Sequence, residues 1–316
     1  MSQLRHHAHE LVLLAILIAA LAVISQLTDK FLTTGNLLNQ GRLMAEVALV
    51  ALPMTYIIVT GGIDLSVGSI MGLTAITLGY SWKNLGLPLE LAIVFALAVG
   101  TFAGYLNGLL ITRLKVPPLI MTLATLALYR GLAEGISQAR SVRGYPDWFF
   151  VLGQGEVLGV PTQLWLVLVA VVIFAFVLAR TTFGRALYAI GHNETAARFS
   201  GIPVDRIKLR IYTLSGFMAA LAGWIFVSRV STTRSDMGTG LELDVIAAVV
   251  LGGTSIFGGI GTIAGTVLGF TLIQLLKNGL ALVGVKGDAT IIVIGSVLIG
   301  SILITNWLRY RRDRDE

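Results

Sequence analysis

Two carboxylates, Glu46 and Asp64, lie in stretches of the chain that are otherwise apolar. A carboxylate held away from water is costly, so it is kept for a task such as ion coupling, solute contact or helix capping. Asp64 sits in Thr60-Gly61-Gly62-Ile63-Asp64-Leu65-Ser66-Val67-Gly68-Ser69, between two apolar runs. Gly61 and Gly62 unwind the backbone there. Asp64 is then placed to cap a helix beginning at Leu65, with direct solute contact as the other reading. Glu46 falls near the end of its run and is expected to reach water. A third group is uncharged. Thr122, Thr125 and Tyr129 recur at three- and four-residue steps and share one helix face. That face suits either a path for a neutral polyol or hydrogen bonds between helices. Arg130 and Glu134, four apart on the same segment, are expected to pair.

The longest polar interruption, residues 180–210, is a different kind of candidate. Asn193 reads as an N-cap, and Glu194 lies in the first turn, where the helix dipole favours an acid. Gly201 reads as the closing residue and Pro203 as the stop. The helix so delimited, Glu194 to Ser200, is far shorter than the ~12–15 residues an isolated helix needs in water. It must dock on the domain beneath it or be offered to a soluble partner. Ala196 and Ala197 are small, as a helix entering a groove requires.

Some chemistry is absent. The chain has no cysteine, which removes disulfides, thiolate metal sites and cysteine nucleophiles. There is no G-x-x-x-x-G-K-[ST] loop and no Gly-Lys dipeptide, so ATP is not held in that way. No H-E-x-x-H occurs, and Gly284-Val285-Lys286-Gly287-Asp288 is one residue out of step with the G-x-G-D of intramembrane aspartyl proteases. An enzyme is not expected, and neither is a bound metal. His6, His7 and His9 read as part of a solvated tail.

Composition supplies the setting. Of 316 residues, 55% are hydrophobic and 13% charged, about half the charged share of a soluble domain, with 36 glycines to allow close helix contacts. The fold class read from this is an all-α polytopic membrane protein. A spanning helix needs ~20 apolar residues. Residues 11–27, 43–60, 91–112, 164–179, 211–228 and 289–308 qualify directly. Broken or re-entrant candidates at 65–80, 117–136, 245–260 and 262–283 bring the expectation to about ten transmembrane helices, all in one domain over 1–316. Basic residues crowd one set of loops: Arg5, Arg113 and Lys115, then Arg180, Arg185, Arg198, Arg206, Lys208 and Arg210, then the tail from Arg309. That bias predicts both termini inside. It also accounts for the net charge of +6 through membrane orientation, without nucleic acid. The outer loops are then 28–42, 81–90, 137–163 and 229–244, with a short one near 284–288. A faint echo links Gly61-Gly62 followed by Gly68 to Gly252-Gly253 followed by Gly259. Transporters built from repeated halves leave such traces, and so does chance.

The residues also resemble one family. Gly61-Gly62-Ile63-Asp64-Leu65-Ser66-Val67-Gly68, Pro118 to Thr125 and Arg130-Gly131-Leu132-Ala133 are similar to signatures of the ribose/xylose-type permease subunit of ATP-binding-cassette (ABC) importers. Phe183-Gly184-Arg185, Ala189-Ile190-Gly191, Asn193, Ala196-Ala197, Ser200-Gly201-Ile202 and Lys208 resemble its coupling loop. Glu242-Leu243-Asp244, Ile246 to Ser255 and Gly258-Gly259 resemble its late motif.

The resemblance implies import of a monosaccharide or small polyol across a bacterial cytoplasmic (inner) membrane. It implies two separate cytoplasmic subunits that bind ATP and magnesium, so that this chain binds no cofactor. It further implies a second permease subunit, identical or homologous, and an external, periplasmic substrate-binding protein. The helix after Asn193 would enter a groove on the ATPase. Gly252-Gly253 and the segment around them would pack near the dimer axis and the path. One departure matters. Ser228 to Gly238, with Arg234-Ser235-Asp236, resembles an autoinducer-2 importer permease instead, so autoinducer-2 or a rhamnose-like deoxysugar is the alternative cargo. The reading from another class is an ion-coupled secondary transporter, for which Asp64 would be the only intramembrane candidate to carry the ion.

Overall fold

In the computed structural model, residues 8–287 are described, and beyond them only 289, 290, 292, 293, 295, 296, 299 and 300. Twelve α-helices follow one another among the described residues: α1 Ala8–Leu27, α2 Thr34–Val59, α3 Val67–Lys83, α4 Leu89–Arg113, α5 Pro118–Ser137, α6 Val151–Gln154, α7 Thr162–Arg180, α8 Thr182–His192, α9 Glu194–Phe199, α10 Val204–Val230, α11 Leu241–Leu251 and α12 Ile263–Leu282. Seven of them, α1, α2, α4, α5, α7, α10 and α12, are long and apolar enough to cross a membrane. The chain is an all-α polytopic membrane protein. The expected span at 289–308 falls mostly outside the described residues.

Helix α2 is the axis of the bundle. From Ala45 to Val59 all but one of its residues are buried, as in a helix that is apolar all round. Helix α10 crosses it and is also mostly buried, while α1, α5 and α7 turn broad apolar faces outward, as lipid-facing helices do. The main core runs from Leu13 through Tyr56, Leu187 and Ala197 to Ile273, so the short helices of the 180–210 loop belong to it. Caps mark several starts: Thr33 accepts from the Asn36 amide, Thr181 from Gly184 and Thr262 from Gly265.

Consecutive long helices define two ends of the bundle. One, here the loop end, carries residues 181–203. The other carries residues 138–161, where Val142–Arg143 (β1) pairs antiparallel with Thr232–Thr233 (β4) and Glu156–Val157 (β2) with Val160–Pro161 (β3). Tyr145 stacks on Phe149 at 4.5 Å and on Trp82 at 4.6 Å, forming a small second core there.

The expected span at 245–260 is instead the short helix α11 followed by a turn, and a run of turns over residues 235–240 leads into it. After β4 the chain runs down one face of α3. Thr233 lies against Gly79, the Ser235 and Met237 carbonyls against Gly72, and Gly238 against Gly68. Eleven residues of helix rise about 16 Å, so the segment that reads as an outer loop sinks deep into the bundle before α11 begins. A Cβ on Gly68 or Gly72 would occupy the space that residues 235–238 take.

Candidate functional site

Three groups of the residues singled out above lie in one region, at and just above the loop end. Its first part is the loop itself. The Asn193 side chain accepts from the Ala196 amide at 2.9 Å, which starts α9 where expected. The helix closes with Gly201 at φ +81° and the Ile202 amide on the Ala197 carbonyl at 3.0 Å. Glu194 binds Arg198 at 2.8 Å and Lys208 at 2.5 Å, Arg198 binds Asp205 at 2.5 Å, and Asp205 binds Lys115 at 3.0 Å. This chain of charges ties α9 to the start of α10 and to the α4–α5 turn. Burial by itself would raise the Glu194 carboxyl. The hydrogen bonds and charges of Lys208 and Arg198 outweigh it and hold the group below the ordinary glutamate value. Gly184 sits where a Cβ would overlap the Leu178 carbonyl, so the α7–α8 bend needs glycine, while Arg185 is exposed beside it. Ala196 is exposed and Ala197 is turned inward, so the two do not share the outer face. Phe199 does lie on that face, 89% exposed, and sequence reasoning passed over it.

The second part is the break between α2 and α3. Gly61 adopts φ +76° and Gly62 packs against the Tyr212 hydroxyl. Helix α3 begins at Val67, two residues later than expected, and Asp64 holds the turn leading into it. Its Oδ1 accepts from the Ser66 amide at 3.0 Å and the Ser66 hydroxyl at 2.6 Å, and its Oδ2 accepts from the Ser215 hydroxyl at 3.0 Å. Asn107 donates to the Ser66 hydroxyl at 2.8 Å and accepts from Tyr129 at 3.2 Å. Asp64 is fully enclosed, its hydrogen bonds come from neutral donors, and it has no cation partner among the described residues. Thr122 donates to the Ile63 and Pro118 carbonyls, Thr125 to carbonyls of its own helix, and Tyr129 to the Ala103 carbonyl at 2.9 Å. These three side chains are buried between helices.

The third part is the turn 252–262. Gly252 packs on the backbone of Gly265, and Gly253 takes φ +89°. The turn folds back on itself, with the Ser255 amide on the Ile260 carbonyl at 2.9 Å and the Gly258 amide on the Ser255 carbonyl at 2.9 Å. The Gly259 amide then donates to the Val59 carbonyl at 2.9 Å, so the two glycine breaks that echo in sequence meet in space. Gly191, near the end of α8, is wedged between them. A Cβ there would overlap both the Val59 carbonyl oxygen and the Gly259 nitrogen. Tyr188, one helical turn earlier, donates to the Gly261 carbonyl at 2.6 Å. Loop, first break and second break are thus in backbone contact.

Two expectations need correction. Glu46 is buried and paired with Arg229 at 2.8 Å, because α10 brings a guanidinium to the side of α2 that the sequence suggests is open to water. Arg130 does not bridge to Glu134. Its guanidinium donates to the carbonyls of Ser235, Met237 (3.0 Å) and Gly68 (3.3 Å), supplying partners for carbonyls of the turns at 235–238 that lie buried against α3. A further set of contacts escaped sequence reasoning. Asn36 and Asn278 exchange side-chain hydrogen bonds, Gln274 donates to Gln40 at 3.2 Å, and Thr55 meets Thr266 at 2.7 Å along α2 and α12. The pairs Asn36/Gln40 and Gln274/Asn278 are each four apart, the one signal that could have pointed to them.

Residues 36–302 match the family described as branched-chain amino acid transport system / permease component. The chain belongs to that permease family. Within it the chain is similar to the ribose import permease RbsC of Bacillus subtilis strain 168, at 42% identity over 89% of this chain and 88% of the relative. It is 37% identical to RbsC of Haemophilus influenzae, over 92% and 91%. It is also 35% identical to the autoinducer 2 import system permease LsrD of Yersinia enterocolitica, over 98% of both chains. No solved structure matches the chain.

Proposed function

We propose that this permease is the membrane subunit of an ATP-driven importer, taking in a monosaccharide or related small polyol handed over by an external binding protein. The observation that carries this reading is the interlock at the loop end. A capped helix tied to α10 by two ion pairs offers an exposed Phe199, while the arm leading to it touches both breaks through backbone. A mobile partner gripping α9 has a direct mechanical route to the irregular segments. That partner is a cytoplasmic ATPase subunit, since the chain itself has no phosphate loop. The loop end then faces the cytoplasm, both termini lie inside, and the membrane is the bacterial cytoplasmic one. Gly184, Arg185, Asn193, Glu194, Ala196, Ala197 and Gly201 shape the coupling loop. Gly61, Gly62, Asp64, Ser66, Gly252 and Gly253 shape the breaks. Thr122 holds α5 against the first break and Tyr129 holds it against α4, while Thr125 bonds within α5, so the three act as packing residues and not as path lining.

The strong likeness to RbsC proteins favours ribose or a similar sugar. A second reading, autoinducer-2 or a deoxysugar, draws on the Arg234–Asp236 ion pair in the turns after β4 and on the full-length likeness to LsrD. Ion coupling is disfavoured by Asp64, whose carboxylate is already engaged by three donors within the protein. Reconstitution with a cognate ATPase and binding protein tests all three. ATP-dependent uptake of ribose, unaffected by a protonophore, is the expected result. ATP-dependent uptake of autoinducer-2 alone would transfer the assignment, and uptake driven by an ion gradient without ATP would overturn it.

A further inference from the structure

Helices α4 and α10 touch along a seam of small residues. A Cβ on Gly100 would meet that of Ala220, one on Gly104 the Tyr212 carbonyl and the Gly216 backbone, and one on Gly108 the Leu209 backbone. The three glycines recur every four residues, so α4 gives a bare stripe to the contact. Larger side chains beside the stripe are turned outward. Tyr105 and Phe217 stand partly exposed and wall an open groove of about 420 Å³. Thr101 and Thr213 line it as well, but their hydroxyls donate to the Leu97 and Leu209 carbonyls of their own helices, at 2.7 Å and 2.8 Å. The groove is therefore apolar, with one exception. Arg210 stands at its mouth, nearest the loop end.

Charge at that mouth is uncompensated. The nearby carboxylates Glu194 and Asp205 are taken by Arg198, Lys208 and Lys115. Arg113, which ends α4, and Arg206 and Arg210 of α10 are exposed and have no carboxylate partner among the described residues. Arg206 and Arg210 lie four apart, on the face of α10 that also carries Thr213 and Phe217. From Arg210 to Phe217 the helix rises about 10 Å, a large part of the ~15 Å of hydrocarbon in one leaflet. Guanidinium groups above an apolar groove of that depth select a molecule with an anionic head and an apolar tail. A free anion would leave the groove unfilled, and a lipid without net charge would leave the arginines uncompensated.

We propose that the α4–α10 groove is a binding site for one anionic phospholipid of the surrounding bilayer. Arg210 and Arg206 hold its phosphate, for which the planar guanidinium fork is suited. An acyl chain lies against Tyr105 and Phe217. The site is independent of which solute the permease carries.

The test titrates the full chain, purified in detergent, with dioleoyl phosphatidylglycerol or dioleoyl phosphatidylcholine and counts retained lipid by native mass spectrometry. A single phosphatidylglycerol should stay bound under collision conditions that strip phosphatidylcholine. Arg210→Gln should weaken that binding about fivefold, the effect of one basic side chain at an anionic membrane surface. Arg180→Gln removes another exposed arginine at the same end, on α7, and should leave binding unchanged. Thr213→Trp fills the groove, keeps every charge and should abolish binding. The wild-type chain gives a reading free of any folding defect. Phosphatidylglycerol with a photoreactive diazirine on its acyl chain should label peptides containing Tyr105 or Phe217. Equal retention of the two lipids, or equal loss in the Arg210 and Arg180 variants, would overturn the site in favour of diffuse attraction. Displacement by glycerol phosphate, which has the charge and no chain, would make it an anion site instead. Tight binding in a folded Thr213→Trp protein, or photolabel confined to other helices, would also overturn it.

Discussion

At the scale of residues, Asp64 acts through geometry. Its carboxylate organises Ser66, Ser215 and, through Ser66, Asn107 and Tyr129, so four helices are referred to one side chain. Asp64→Asn keeps an oxygen for the Ser66 amide and should retain most transport. Asp64→Leu should lose transport along with three buried hydrogen bonds, at about 1–3 kcal/mol for each donor left unsatisfied. Equal loss in both variants, measured as uptake at matched abundance, would show that the charge is indispensable. Glu46 and Arg229 make the complementary case. Replacing one partner leaves a buried charge and should cost about 3–5 kcal/mol, whereas an apolar replacement of both should recover much of that loss. Thermal midpoints of Arg229→Met, Glu46→Leu and the double variant decide the point; additive losses would deny the coupling.

At the scale of elements, α9 divides its two faces between two tasks. Ala197 is buried in the main core, and Phe199 stands in solvent. Phe199→Ala should therefore weaken ATPase co-purification while leaving the permease folded, and Ala197→Trp should lower folded yield by overpacking. Normal ATPase recovery in the Phe199 variant would move the docking surface elsewhere. The ion pairs beneath α9 carry a pH signature. Since the Glu194 carboxyl is depressed in the folded protein, its contribution is complete above the ordinary value of 4.5 and is lost as pH falls through the folded value. Loop protection in hydrogen exchange should hold from neutral pH down to that ordinary value and decline below it. The acid-induced decline should be absent in Glu194→Gln, and its persistence there would assign it to another group.

At the scale of the whole molecule, sidedness follows from the interlock and can be measured directly. Single cysteines at Leu158, 89% exposed at one end of the bundle, and at exposed Ser200 at the other should label from opposite sides of the membrane, Ser200 from the cytoplasm. Outside labelling at Ser200 would reverse the orientation. Thr233, which reads as an outer-loop residue, is buried under Tyr145 and Gly79 and would not report.

Most of the architecture could be read from residue order. Long apolar runs, the cap at Asn193, the stop at Gly201-Pro203 and the unwinding at Gly61-Gly62 are local matters, decided by hydropathy and by neighbours a few residues away. Local too were the absence of a nucleotide loop and the motifs shared with sugar permeases. Tertiary structure decided what depends on distant partners. It placed the second glycine break on the first through Gly259 and Val59, and Gly191 between them. It gave Glu46 its arginine, and sank residues 233–238 along α3, where Arg130 satisfies their carbonyls. In an apolar medium an exposed peptide group or charge must find a protein partner, and that partner is chosen by how helices pack, which no window of sequence contains.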